Sequence, residues 1–219
     1  MKIRVIRNVL EANEALAGEN RRRLDESRVL CVNVMSAPGS GKTALLEKTI
    51  PALGAERCAV LVGDLQTSRD AERLAGVSSQ VTQINTEGGC HLTAAQVAEG
   101  LRGLDWKGLS YLFIENVGNM VCPAGFDLGE HARAALLSVP EGDDKVAKYP
   151  TLFQSVDVIL LTKTDLFSVL GYDSQRVRQD LTQVNTRAPL IELSNRTGQG
   201  LSEWLDWLRR QRERRWGGR

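Results

Sequence analysis

The run Ser36-Ala-Pro-Gly-Ser-Gly-Lys-Thr43 carries the plainest chemistry in this chain. Its small residues let successive backbone N–H groups turn onto phosphate oxygens, and a following helix adds the positive end of its dipole. Gly39, Ser40, Gly41 and Ala44 build that cradle, Lys42 is placed to reach terminal phosphates, and the Thr43 hydroxyl is placed to hold magnesium. The G-x-x-x-x-G-K-[ST] pattern lacks only its first glycine, where Ser36 stands. A plain Gly/Ser turn is the bland alternative. The apolar run 29–35 before the loop and the helical pattern after it favour a nucleotide site.

Two carboxylates sit at the ends of other apolar runs. Asp64 follows Val62-Gly63, and Glu115 follows Leu112-Phe113-Ile114 with Gly118 shortly after. Acids at such tips hold magnesium or orient an attacking water. One alone is commonly a turn or helix cap; a pair beside a phosphate loop argues for catalysis. Further on, Thr162-Lys163-Thr164-Asp165 resembles the [NT]-K-x-D signature of guanine-binding GTPases. A carboxylate at Asp165 accepts hydrogen bonds from the ring and exocyclic N–H groups of guanine, a pattern adenine does not offer. The stem of Lys163 packs on the base, and Thr162 stands where many such proteins carry Asn. Ser194-Asn195-Arg196-Thr197-Gly198 follows the last run, in the place of an S-A-K-T-G loop. In this order the motifs favour GTP/GDP over adenine nucleotides.

Cys90, His91 and Cys122 offer thiolate and imidazole, the natural donors for Ni2+ or Zn2+. An isolated Cys-His pair is commonly chance, but the segment holding Cys122 begins at the magnesium candidate Glu115. A metal there would be tied to the nucleotide by a short piece of backbone, so that each could bias the other. One chain falls short of the four donors such ions prefer. With Cys90 and His91 at the head of a helical pattern, 91–102, their side chains would diverge by roughly 100°. The expectation is a homodimer that shares the ion at its interface, with the cysteines as principal ligands and His91 secondary. His131 is expected at the surface.

The elements needed to position these groups are visible in the hydrophobic pattern. Apolar runs at 29–35, 58–62, 81–84, 109–114, 156–161 and 190–193 alternate with helical patterns near 43–51, 68–75, 91–102, 174–184 and 200–214. This predicts an α/β, three-layer P-loop NTPase fold, a mostly parallel sheet with helices on both faces and its site beyond the carboxyl ends of the strands. Residues 29–219 form that domain, and 1–28 a helical appendage with an apolar stripe of Val9, Ala12, Leu16 and Leu24. Arg21-Arg22-Arg23 and the basic tail 209–216 are expected to face solvent, and 117–150 to be largely loop because of its glycines and prolines.

Composition narrows the classes. Lys and Arg total 28 against 27 Asp and Glu, so no bulk attraction to nucleic acid is indicated. No segment is apolar enough for a membrane span and the first residues lack a signal-peptide pattern. The cysteines form no C-x-x-C pair, Cys31 and Cys58 lie in apolar runs, and a reducing cytoplasm is the expected setting.

Taken together, about residues 29–208 resemble the hydrogenase nickel-incorporation GTPases, the HypB-type maturation factors. The resemblance rests on Ser36–Thr43, Gly63–Ala71, Gly88-Gly89-Cys90-His91-Leu92, Glu115–Pro123, Glu141–Lys145 and Lys148-Tyr149-Pro150. It implies a GTPase that dimerises with GTP, carries nickel or zinc at the cysteine/histidine site and helps deliver nickel to [NiFe]-hydrogenase. It also implies Asp64 near magnesium and the attacking water, and as partners an accessory nickel metallochaperone and the hydrogenase large subunit. The cysteine motif or histidine-rich tract that some relatives carry near the N-terminus is not found in residues 1–28. Other readings are a GTPase serving urease or another metalloenzyme, a metal-binding module merely locked by nucleotide, and a small-molecule P-loop kinase.

Overall fold

Every residue of Leu30–Ser36 is buried, as a strand covered on both faces requires. This is β1 of a computed structural model that describes residues 2–64, 68–86 and 88–217, with side chains from Leu10 onward. In chain order the elements are α1 (Lys2–Glu26), β1, α2 (Lys42–Leu53), β2 (Cys58–Asp64), α3 (Arg69–Ala75), β3 (Gln80–Asn85), α4 (Ala94–Arg102) and β4 (Tyr111–Glu115). There follow β5 (Ala132–Ser138), α5 (Lys145–Lys148), α6 (Pro150–Gln154), β6 (Val158–Thr162), α7 (Phe167–Leu170), α8 (Ser174–Val184), β7 (Leu190–Leu193) and α9 (Leu201–Trp216).

Among the described residues the strands make one seven-stranded sheet in the order β3-β2-β4-β1-β5-β6-β7. Every pairing is parallel. Alternate side chains of β1 divide between the two faces. Leu30, Val32 and Val34 pack with α2 and α9 through Leu45, Ile50 and Trp204, while Cys31 joins Leu61, Ile114 and the α4 residues Val97 and Leu101. Burial raises the thiols of Cys31 and Cys58, the latter to about 12, as inert core cysteines should show.

The structure corrects several expectations. The stretch 117–150 is not mainly loop, because Ala132–Ser138 forms β5 in the middle of the sheet, between β1 and β6. α4 begins at Ala94, so Cys90 and His91 precede the helix instead of opening it. The buried line of α1 is Asn13, Ala17, Asn20 and Leu24; Ala12 is exposed, Leu16 half-buried, and the side chain of Val9 lies outside the described residues. Arg21 is not merely solvated. Its Nη2 donates to both carboxylate oxygens of Asp127, at 2.7 and 2.8 Å, while Arg23 lies over the Trp106 ring.

His131 is also a correction: its side chain is only 1% exposed. The N–H of Cys31 donates to its Nδ1 at 3.0 Å, which leaves the proton on Nε2, 3.4 Å from Asp25 Oδ1. Trp216 meets the ring edge-on. The tail is partly tied as well, since Arg215 makes a two-pronged pair with Asp25.

Candidate nucleotide and metal sites

The loop between β1 and α2 bends through positive φ at Gly39 (77°) and Gly41 (100°), a conformation that favours glycine. It borders a cleft of about 430 Å³ lined by Lys42, Thr43, Asp64, Asp70, Arg73 and Glu115 among others. β4 lies between β1 and β2, and Glu115 is in register with Val34 on one side and Val62 on the other. The parallel sheet therefore delivers the phosphate-type loop, Asp64 and Glu115 to one end of three adjacent strands. Gly118 lets the next turn close in, because a Cβ there would lie 3.0 Å from Pro38.

Within the cleft the Thr43 hydroxyl donates to Glu115 Oε1 at 2.7 Å. Glu115 Oε2 is buried without a hydrogen-bond partner. Burial drives this carboxyl up to about 7, against the pull of Lys42 and Thr43. Lys42 is lowered, also mainly by burial, and its Nζ donates to Ser36 Oγ at 3.2 Å. An under-satisfied carboxylate facing a buried ammonium and a hydroxyl is suited to a phosphate-bound cation.

The residues of the guanine-type motifs converge on the same loop. Thr162 Oγ1 donates to the Ser40 carbonyl at 2.7 Å and Lys163 Nζ to the Gly39 carbonyl at 2.7 Å. Asn195 Nδ2 reaches the Gly41 carbonyl at 3.4 Å. Asp165 accepts from Ser194 Oγ at 2.6 Å and from Arg196 Nε at 2.9 Å, and the Ser194 bond, helped by Arg196, holds its carboxyl below the usual range. Thr162 thus supports the loop with its hydroxyl.

Glu141 was not assigned a role from the sequence. Its Oε1 accepts from Ser40 Oγ at 2.5 Å and Ser138 Oγ at 2.6 Å, so the turn after β5 braces the loop. The residue opens the Glu141–Lys145 stretch of the resemblance, and the Ser-x-x-Glu spacing at Ser138–Glu141, a capping box, is the signal that could have shown its task.

Cys90, His91 and Cys122 come together in the single chain. Their ligand atoms lie within 4.8 Å of one another. Cys90 Sγ is 3.5 Å from His91 Nδ1, an arrangement a loop permits and the expected helix did not. The hydrogen bond with Cys122 is the main influence raising the Cys90 thiol, and burial lowers His91, favouring the neutral imidazole that metals require. The His91 ring lies tilted against Phe126, centroids 3.9 Å apart, and Asn119 Nδ2 donates to the Cys90 carbonyl at 3.3 Å. The residue next to the metal-type cluster packs against the wall of the cleft. A Cβ on Gly63, beside Asp64, would fall 2.8 Å from Cγ of Leu92, the neighbour of His91.

A parallel sheet with this loop at the carboxyl end of β1 defines the class: a P-loop nucleotide-binding protein. The model of the family described as CobW/HypB/UreG, nucleotide-binding domain, matches residues 30–192. The chain belongs to that family, in its HypB branch of hydrogenase maturation factors. It is 46% identical to hydrogenase maturation factor HypB of Azotobacter vinelandii over 96% of this chain and 70% of that one. It is 40% identical to the hydrogenase/urease maturation factor HypB of Helicobacter hepaticus, over 96% and 88%. Among solved structures it is similar to HypB from Helicobacter pylori in complex with nickel, with TM-score 0.88, 36% identity and coverage of 93% and 96%. HypB from Archaeoglobus fulgidus gives TM-score 0.86, 39% identity and coverage of 93% and 100%.

Proposed function

We propose that this protein is a GTP-hydrolysing metallochaperone that binds nickel or zinc and assists nickel insertion into [NiFe]-hydrogenase. The observation that carries the reading is the gathering of Cys90, His91 and Cys122 beside the phosphate-type cleft: Cys122 lies on the segment that leaves β4 at Glu115, and Leu92, next to His91, packs against Gly63 beside Asp64. The nickel complex of the Helicobacter pylori relative supports the same cargo.

In this reading the backbone of Gly39–Ala44 cradles the phosphates, and Lys42 offsets charge on their terminal oxygens. Thr43 and Glu115, with Asp64 nearby, would hold magnesium; the fit rests on the partnerless buried oxygen of Glu115. Magnesium would neutralise charge on the phosphate oxygens during transfer. Asp64 orients the attacking water. Asp165 and Lys163 receive guanine, for which Arg196 must release the Asp165 carboxylate. Ser194 and Asn195 hold the neighbouring wall.

A GTP-favoured homodimer accords with Val169 and Leu170, 74% and 50% exposed, on α7 just beyond Asp165. Apolar groups beside the base loop give a second copy a surface that nucleotide binding can shape. The metal is then shared or capped at that interface, with an accessory nickel carrier and the hydrogenase large subunit as further partners. The hydrogenase/urease wording of the Helicobacter hepaticus name favours one second reading, service to urease. We place the protein in the cytoplasm.

The test is product analysis of purified protein with GTP and magnesium. GDP and free phosphate are expected, with phosphate release falling about a hundredfold or more in Asp64→Ala. A phosphorylated small molecule would identify a kinase. Gene deletion that lowers hydrogenase but not urease activity separates the two destinations.

A further inference from the structure

A line of buried polar side chains runs beneath both metal-bearing segments. Asn33 is 0% exposed, Asn116 1% and Glu130 5%, depths at which a polar group must be paired. Asn116 Oδ1 accepts from the backbone N–H of Val117 at 2.9 Å and of Leu92 at 3.3 Å. Those donors fix the amide, so that its Nδ2 donates to Asn33 Oδ1 at 3.1 Å. Asn33 Nδ2 in turn donates to Glu130 Oε1 at 3.3 Å. The direction of each bond follows from the one before it.

The line then turns back toward the cluster. Glu130 Oε1 also accepts from Arg133 Nε at 2.6 Å, and the remaining nitrogens of Arg133 donate to the carbonyls of Ala124 at 3.3 Å and Phe126 at 3.0 Å. One end therefore grips the backbone next to His91. The other grips the backbone just past Cys122. The middle is built on the sheet, through Asn33 of β1 and the residue that follows Glu115.

We propose that Asn33, Asn116, Glu130 and Arg133 are positioning residues that set the spacing of the Cys90–His91 segment from the Cys122 segment, and so the geometry offered to the ion. This rests on the metal-delivery reading above. Outer partners of this kind orient the ligands, and their loss shows in metal affinity. A network serving only core stability would leave the ion's spectrum unchanged.

The test is titration of the intact protein with Ni2+ in the presence of GDP, followed by thiolate-to-nickel absorption. Asn33→Leu keeps side-chain size while removing both central bonds. It is expected to weaken nickel binding by roughly tenfold or more and to shift the absorption band, with GDP affinity within about twofold. Arg133→Lys keeps the charge but loses the fork onto Ala124 and Phe126, and should act in the same direction; it decides the matter if Asn33→Leu does not fold. Wild-type nickel affinity and band in a folded variant would overturn the proposal, as would an equal loss of GDP binding. Cys122→Ser is the control. If wild type shows no thiolate band that this variant abolishes, the metal-site reading itself is what fails.

Discussion

The Thr43 hydroxyl donates to one oxygen of Glu115 at 2.7 Å, while the other oxygen of that carboxylate, equally buried, has no hydrogen-bond partner. An acid in that position is held uncharged more readily than in water, and its pKa rises to about 7. The native carboxyl holds its proton more tightly than the unfolded one. Its stabilising share is thus full below pH 4.5 and lost as pH climbs to about 7.

For Glu115→Gln, the ligand-free protein should therefore lack this decline and be more stable than wild type at pH 8, by roughly 1–3 kcal/mol. Its magnesium-dependent GDP affinity should drop by about tenfold, ~1.4 kcal/mol. Thermal melts from pH 5 to 8, with and without magnesium and GDP, check both parts. A parallel decline in variant and wild type would remove Glu115 as the cause.

In the proposed reading Asp165 carries the choice of base. Replacing it with Asn exchanges an acceptor for a donor on one side, which disfavours the N–H edge of guanine and suits the extra carbonyl of xanthine. GDP affinity is expected to fall by about a hundredfold or more, with xanthosine diphosphate binding better to Asp165→Asn than to wild type. Competition titrations with the two diphosphates and ADP measure this. Unchanged GDP binding would place the base elsewhere.

His131 gives the opposite pH behaviour from Glu115. Burial depresses it to about 4 from 6.5, with Arg215 adding to the effect and Asp25 opposing it. The unfolded chain takes up the proton first, so stability is present above pH 6.5 and lost as pH falls toward 4, by roughly 3 kcal/mol. His131→Gln should be flatter over that window in urea titrations at several pH values. An equally steep fall in the variant would assign it to the carboxylates instead.

Much of this arrangement was legible in the sequence. Branched, apolar runs ending in Ser36, Asp64, Glu115 and Thr162 announce parallel strands with chemistry at their tips. β5 escaped because Ala-Arg-Ala-Ala-Leu-Leu-Ser has weak strand propensity and sits among glycines and prolines; its place between β1 and β6 comes from pairing, not local preference. The seam of α1 escaped because hydrophobic periodicity does not register Asn13 and Asn20. Each bridges Ala94 to the 127–128 turn, with Asn13 accepting from the Ala94 N–H and Asn20 donating to its carbonyl. Cys90 and His91 were assigned a helix's divergence, whereas Thr93 caps α4 and leaves both residues in the preceding loop. His131 was hidden because nothing local reveals that Asp25 and Trp216 cover it.

Communication between the two sites is most directly tested by nickel titration of the intact protein, first in GDP and then in a non-hydrolysable GTP analogue with magnesium, with mass recorded alongside. Nickel affinity should differ by about fivefold or more between the two nucleotides, with a changed thiolate band and a shift toward dimer in the triphosphate state. Identical affinity, band and mass in both would show that the cleft and the Cys90–His91–Cys122 cluster do not sense one another.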